Sequence, residues 1–339
     1  MSISDAPSSC RTCAFLTKCF GQIDVPVARP TLLPYEWNTY PLQLGSSLIR
    51  VLRCGDNGPP IVFIHGPAGS ADRWSFNLKA LCHAGYVALA LDLPGHGLAS
   101  KALDEPLSVP GYARVLAAFL EELTDPAVLV GTSVGAHIAS YCATQIPERV
   151  KALVLVSGGG AIPLGPEHRE RLRRIATYRS RDGGLERLRR CLFDPRLAAG
   201  DIVEQEFRLN TSLGAEECLR AFGRYIAEEI DSDVVGEKLR ELAAQIPCIV
   251  VWGADDKILP STFGVEMQAA IGGSSRFIAI RNSGHAPHFE RPGEFNQILL
   301  SFLATLGTNN FTPYPELSIR GNSNAPFPAL SPVRDKNPT

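Results

Sequence analysis

Short, wholly apolar runs alternate with longer amphipathic ones along most of this chain, and that alternation limits what it can fold into. PIVFIHG (60–66), VALALD (87–92), AVLVG (127–131) and KALVLV (151–156) are too short for buried helices and carry apolar residues on both faces. Strands buried on both faces read this way. RWSFNLKALCHAGY (73–86), VPGYARVLAAFLEEL (109–123) and residues 134–146 lie between them. In the second of these, Leu116, Phe119, Leu120 and Leu123 share one helical face. The pattern predicts an α/β fold with a mostly parallel central sheet and helices on both faces. Chemistry in such a sheet belongs at the carboxyl ends of the strands.

The alternation has edges and one interruption. Residues 1–34 are punctuated by Pro7, Pro26, Pro30 and Pro34 and read as an N-terminal arm. TYPLQL and SLIRVLRCG alternate in the manner of a β-hairpin. From about 161 to 245 the strands stop, and the sequence becomes helical and Arg-rich. Strand-like runs return at IPCIVVWG (246–253) and SRFIAIRNSGH (275–285), and PGEFNQILLSFLATL closes as a helix. A core of residues 35–160 and 246–307, an inserted helical cap of 161–245 and a disordered tail of 308–339 are therefore expected. The tail holds six prolines among Asn, Ser and Gly.

Composition removes several partner classes. Lys plus Arg is 33 and Asp plus Glu 35, so the formal charge is −2, which does not favour nucleic acid. No apolar stretch reaches the roughly 18 residues that span a bilayer. The first 30 residues hold five charges and no long apolar block, so no secretory signal is expected. Of nine cysteines, most lie inside apolar runs, as in PCIVVWG and ALCHAGY. Buried reduced thiols and a cytoplasmic location follow as expectations. Cys10, Cys13 and Cys19 have a C-x2-C-x5-C spacing that a metal or iron–sulfur cluster could use, with Cys54 as the nearest fourth ligand. A flexible arm with no metal is the preferred reading.

The chemistry gathers at strand ends. Gly131-Thr132-Ser133-Val134-Gly135 turns a strand into a helix with a serine at its tip. A tight turn of this kind exposes a hydroxyl, and small residues on either side let it close. The helix N-terminus behind it offers N–H groups to a developing oxyanion. His285, in NSGHAPHFERP after the last strand, supplies a base; His288 is a rival expected to support it or face the cap. Asp255 and Asp256, in VVWGADDKILP, are both placed to orient that base. The chain order Ser, Asp, His fits a nucleophile–acid–base set.

HGPAGSADRW, LDLPGHGLAS, GTSVG, WGADDKILP and SGHAPHFERPGEFN, in this order, resemble the α/β-hydrolase superfamily over about residues 40–306. The resemblance implies Ser133 as nucleophile, Asp256 rather than Asp255 as acid, and His285 as base, with no cofactor and no metal. A serine at the turn separates the chain from dehalogenases and epoxide hydrolases, which carry aspartate there. The segment LERLRRCLFDPRLAAGDIVEQEFRLNTS is similar to the lids of carbon–carbon bond hydrolases. Those enzymes have Asn where this chain has Thr132, an aromatic where it has Ala286, and a carboxylate-binding arginine near the position of Glu206 and Arg208.

Similar enzymes build the oxyanion hole from the N–H groups of the residue after the nucleophile, here Val134, and of the residue after HG, here Pro67. Proline has no N–H. The Ala68 N–H, a side chain or a water must replace it, or hydrolysis is slow. Thr132 is expected on the far side of the turn. Nine arginines between 169 and 190 read mainly as solvated helix faces, with Leu185, Leu188 and Leu192 inward. Trp74, the DLPGHG loop, His65 and His96 read as structural. The chain is expected to be a serine hydrolase of a small carboxylic ester or lactone, with substrate contacts unassigned. A carbon–carbon hydrolase of vinylogous diketones and a non-hydrolytic small-molecule receptor on the same fold are the alternatives.

Overall fold

The computed structural model describes residues 37–103, 106–178 and 180–307. The arm with Cys10, Cys13 and Cys19, and the tail from 308, lie outside the described residues.

Eight strands form one sheet: β1 (Asn38–Leu44), β2 (Ser47–Cys54), β3 (Pro60–Ile64), β4 (Val87–Asp92), β5 (Ala127–Thr132), β6 (Val150–Val156), β7 (Cys248–Gly253) and β8 (Arg276–Ile280). Their order is β1-β2-β4-β3-β5-β6-β7-β8. The hairpin β1–β2 is antiparallel, β2 joins β4 antiparallel, and the remaining pairs are parallel. β3, β4, β5 and β7 are buried at every position, as their unbroken apolar sequence requires. The edge strands β1 and β8 are partly exposed.

Side chains alternate across the sheet and sort into two cores. Val62, Ile64, Leu89, Leu91, Leu129 and Leu153 face one side. There they meet α2 (Val109–Glu121) and α3 (Val134–Gln145) through Leu116, Phe119 and Ile138. Ile61, Phe63, Ala88, Ala90, Val128 and Val154 face the other. There they meet α1 (Ser75–His83) through Leu78 and Leu81. The last helix, Pro292–Thr305, covers this side too, through Phe295 and Leu299.

β3 lies between β4 and β5, so the chain winds one way after β3 and the other way after β5. The loops leaving β3 and β5 therefore diverge around one crevice at the carboxyl edge. Between β6 and β7 run α4 (Gly165–Ala176), α5 (Arg181–Cys191), α6 (Gly200–Asn210), α7 (Ala215–Glu228) and α8 (Gly236–Leu242).

Two elements differ from expectation. A helix, α9 (Ser261–Ile271), follows β7. Its first half holds the weak helix formers Thr262, Gly264 and Val265, its second half the strong formers Glu266 to Ala270, and Gly264 packs against Trp252 and Phe277. β8 ends at Ile280, short of the run to His285, because Asn282 takes a left-handed conformation (φ 52°). No described helix is long and apolar enough to cross a membrane.

Candidate active site

Ser133 stands between β5 and α3 with φ 55° and ψ −124°, a conformation that costs a non-glycine residue about 1–3 kcal/mol. The glycines on either side explain how it is tolerated. A Cβ on Gly131 would lie 2.3 Å from the Gly135 carbonyl oxygen, and one on Gly135 would lie 2.4 Å from that of Ile64. The Ser133 N–H donates to the Val156 carbonyl at 2.8 Å, tying the turn to the end of β6.

Of the two aspartates after β7, Asp255 is exposed and Asp256 is buried. Asp256 Oδ1 accepts the Ile258 and Leu259 N–H groups at 2.8 and 3.0 Å. Its Oδ2 lies 2.7 Å from His285 Nδ1. A carboxylate at Nδ1 places the proton there and leaves Nε2 as an acceptor.

The loop carrying His285 is held from two directions. Glu290 accepts the Gly284 N–H at 2.7 Å and the Phe193 N–H at 2.6 Å. The His285 N–H donates to the Cys191 carbonyl at the end of α5, at 2.7 Å. That approach requires Gly284, where a Cβ would lie 2.4 Å from the same oxygen.

Ser133 and His285 line one cavity of about 70 Å³. Its sheet-side wall includes His65, Gly66, Pro67, Arg73 and His288; its helical wall includes Ile175, Arg187, Leu188 and Leu192. Four buried polar atoms of its lining have no hydrogen-bond partner: Ser133 Oγ, His285 Nε2, His288 Nδ1 and Arg187 Nε. Seven other such atoms are scattered among the described residues, but these four share one cavity, which favours a ligand there. A narrow space of about 20 Å³, lined by Val134, His137 and Phe263, reaches Ser133 from elsewhere. A larger hollow of about 520 Å³ lies at the first residues of β6, β7 and β8, the edge opposite the chemistry, and holds neither Ser133 nor His285.

The loop after β3 turns at Gly66-Pro67-Ala68-Gly69. The Gly69 N–H donates to the Gly66 carbonyl at 3.1 Å, and Ala68 has φ 53°. This is a turn in which proline suits the second position and the third needs positive φ. Ala68 is buried but does not line the cavity, and its carbonyl accepts from Asn210 Nδ2 at 3.0 Å. Neither Ala68 nor Val134, the two main-chain donors expected from the sequence, is among the residues lining this cavity. Val134 opens α3, where an N–H has no partner within the helix. Thr132, expected on the far side of the turn, is one of the residues lining the cavity.

The arginines between 169 and 190 divide. Arg174, Arg181 and Arg190 are exposed with nearby Glu partners, as solvated faces should be. Arg187 is not. Its Nη1 donates to Glu206 Oε2 at 2.7 Å and its Nη2 to the Pro67 carbonyl at 3.1 Å. Arg73 holds the other oxygen of Glu206 through Nε at 2.8 Å and through a second close contact. Burial alone would raise the Glu206 pKa, but Arg187 and Arg73 outweigh it and hold the carboxyl below its ordinary range. Arg187 was hidden among nine arginines. The signal was positional, since residues 184, 188 and 191 around it are small or apolar and buried.

His65 and His288 are held by the structure around them. His65 Nε2 accepts the Leu93 N–H at 3.1 Å while Nδ1 lies 2.8 Å from the Gly66 carbonyl. His288 stacks on Trp74, with ring centroids 4.1 Å apart, and burial pushes its pKa down to about 3. In the DLPGHG loop, Asp92 accepts the Ala71 and Leu98 N–H groups at 2.7 Å each and pairs with Arg50. Cys54, Cys82, Cys142, Cys191, Cys218 and Cys248 form no disulfide. No cluster of three or more metal-ligating side chains occurs among the described residues.

Residues 61–298 match the alpha/beta hydrolase family. A 2-hydroxy-6-oxononadienedioate/2-hydroxy-6-oxononatrienedioate hydrolase of Klebsiella pneumoniae is 33% identical over 270 residues, covering 76% of this chain and 91% of that protein. Among solved structures, a 2-hydroxy-6-oxo-6-phenylhexa-2,4-dienoate hydrolase of Rhodococcus sp. strain RHA1 aligns with a TM-score of 0.71 at 19% identity, covering 79% of this chain and 99% of that one. A thermophilic esterase of Thermogutta terrifontis aligns with a TM-score of 0.64 at 24% identity, covering 80% and 100%. At these identities the two structures speak for the fold alone.

Proposed function

The chain belongs to the alpha/beta hydrolase family, and from that premise we propose that it is a serine hydrolase cleaving a small carboxylic ester or lactone. The observation that carries this reading is that Ser133 Oγ and His285 Nε2, each buried and without a hydrogen-bond partner, line the same cavity, with His285 Nδ1 held by Asp256 at 2.7 Å.

Ser133 Oγ attacks the substrate carbonyl as His285 Nε2 takes its proton. Asp256 stabilises the imidazolium. The Val134 N–H donates to the oxyanion, which collapses with loss of the alkoxide. That leaving group takes the proton from His285, and an acyl-enzyme remains. Water then loses a proton to His285 and attacks the acyl carbon, and the carboxylic acid leaves as Ser133 regains its proton. No cofactor or metal enters these steps. Residues 35–160 and 246–307 act as the core and 161–245 as a cap. Largely buried cysteines outside any disulfide support a cytoplasmic setting.

The cavity is small beside the roughly 300–1,000 Å³ of sites for drug-sized ligands, which supports a small acyl group. Glu206 already occupies the arginine pair at its edge, which weighs against a substrate carboxylate there. Similarity to the Klebsiella protein favours a second reading, carbon–carbon cleavage of a vinylogous diketone by the same residues.

Steady-state turnover of p-nitrophenyl acetate, p-nitrophenyl butyrate, a small lactone and a 2-hydroxy-6-oxodienoate separates the two. Ester or lactone kcat/KM is expected to exceed that for the dienoate. The reverse order makes the enzyme a carbon–carbon hydrolase. Binding of these compounds with no turnover makes it a receptor.

A further inference from the structure

The loop after β3 cannot donate an N–H at Pro67. Arg187 stands at this gap. Its Nη2 donates to the carbonyl of Pro67 itself at 3.1 Å. Glu206 fixes Nη1 at 2.7 Å, and the guanidinium carbon lies 5.5 Å from the centre of the Tyr178 ring. Two of the three guanidinium nitrogens are thus anchored. The third, Nε, is buried, carries one N–H and has no partner, as do Ser133 Oγ and His285 Nε2 on the same cavity.

The Pro67–Ala68 peptide is trans. Its C=O and N–H point in opposite directions. With the Pro67 carbonyl turned to Arg187, the Ala68 N–H turns away from it.

We infer that Arg187 is a further catalytic residue: its guanidinium supplies, from the helical segment, the oxyanion donor that Pro67 lacks. This rests on the serine hydrolase reading above. The cation is a stronger partner for a developing oxyanion than a neutral amide, because hydrogen bonds to ionised groups are roughly twice as strong. It acts only when α5 sits over the sheet edge, so the oxyanion hole is assembled from two regions of the chain. Pro67 and Arg187 form a matched pair, one removing a donor and the other replacing it.

The test is a rescue. In Arg187→Met, kcat on p-nitrophenyl acetate is expected to fall about 10²–10³-fold, the loss of one oxyanion donor. KM should stay within about threefold, because the donor acts in the transition state. Adding Pro67→Ala, which returns an N–H to the loop, is expected to recover at least about tenfold of that loss.

Arg187→Lys keeps a charge for Glu206. It serves if Arg187→Met does not fold, with the same loss expected in smaller measure and the same rescue. A folded Arg187→Met with kcat within about threefold of the parent overturns the inference. So does a loss that Pro67→Ala does not rescue in either background, since that is what a purely structural arginine would show. Failure of the underlying reading looks different: turnover that survives Ser133→Ala, with the arginine variants unaffected.

Discussion

The two walls of the cavity are made in different ways. The sheet-side wall is set by main-chain contacts. Ser133 is held by close backbone approach at Gly131 and Gly135, and Asp256 by two N–H groups two and three residues ahead. The helical wall is set by side-chain charge, with Glu206 of α6 joining Arg187 of α5 to Arg73 beside α1. Main-chain contacts are short-range and rigid, so that wall is fixed before any substrate arrives. Buried ion pairs cost desolvation and are specific in geometry, so the other wall keeps its register only while every charge is paired. The difference divides the site, with nucleophile and base on the wall held by main-chain contacts and the charge network on the other.

Breaking the sheet-side wall should have the largest effect. Asp256→Asn is expected to lower kcat about 10⁴-fold, by removing the carboxylate that holds the histidine tautomer. Asp255→Asn, at an exposed position, is expected to change kcat little. Steady-state kinetics on a p-nitrophenyl ester compares the two, and equal losses would remove the distinction between these neighbours.

Glu206→Leu tests the helical wall. It leaves two arginines facing each other without their shared carboxylate, and a loss of about 3–5 kcal/mol is expected on urea unfolding. A loss under about 1 kcal/mol would mean that the helical wall does not depend on this ion pair.

Gly284→Ala strikes where the walls meet. Its Cβ would crowd the Cys191 carbonyl, so either the His285 loop or the end of α5 must shift. A destabilisation of about 1–3 kcal/mol is expected, together with reduced kcat. Unchanged thermal unfolding and kinetics would show that the contact is loose.

The effect confined to acid is in pH. Burial pushes the pKa of His288 down to about 3, against 6.5 in the unfolded chain. Between these values the unfolded state binds the extra proton, so folding stability falls as pH drops from 6.5 toward 3. His288→Phe, which keeps a ring on Trp74, should flatten that fall in a series of thermal melts. Parallel curves for parent and variant would contradict it.

The same contrast explains how much of the molecule was legible in its sequence. β3 to β7 could be read because apolar runs of this length have one stable home, a buried parallel sheet. Ser133 and His285 could be read because turn chemistry surrounds them with Gly131, Gly135, Gly284 and Pro287. The choice between Asp255 and Asp256 needed either resemblance or burial. Glu206 and Arg187 could not be read as a pair, since 18 residues lie between them and the ion pair depends on how two helices pack. α9 was missed because Thr262, Gly264 and Val265 weaken its first half, although Glu266 to Ala270 favour a helix.

The central claim is that Ser133 is a nucleophile activated by His285. Labelling of the purified protein with a fluorophosphonate probe, beside Ser133→Ala, tests it most directly. The account predicts rapid, stoichiometric labelling of the parent and none of the variant. A folded parent that resists the probe, or a Ser133→Ala protein that labels as well as the parent, would contradict it.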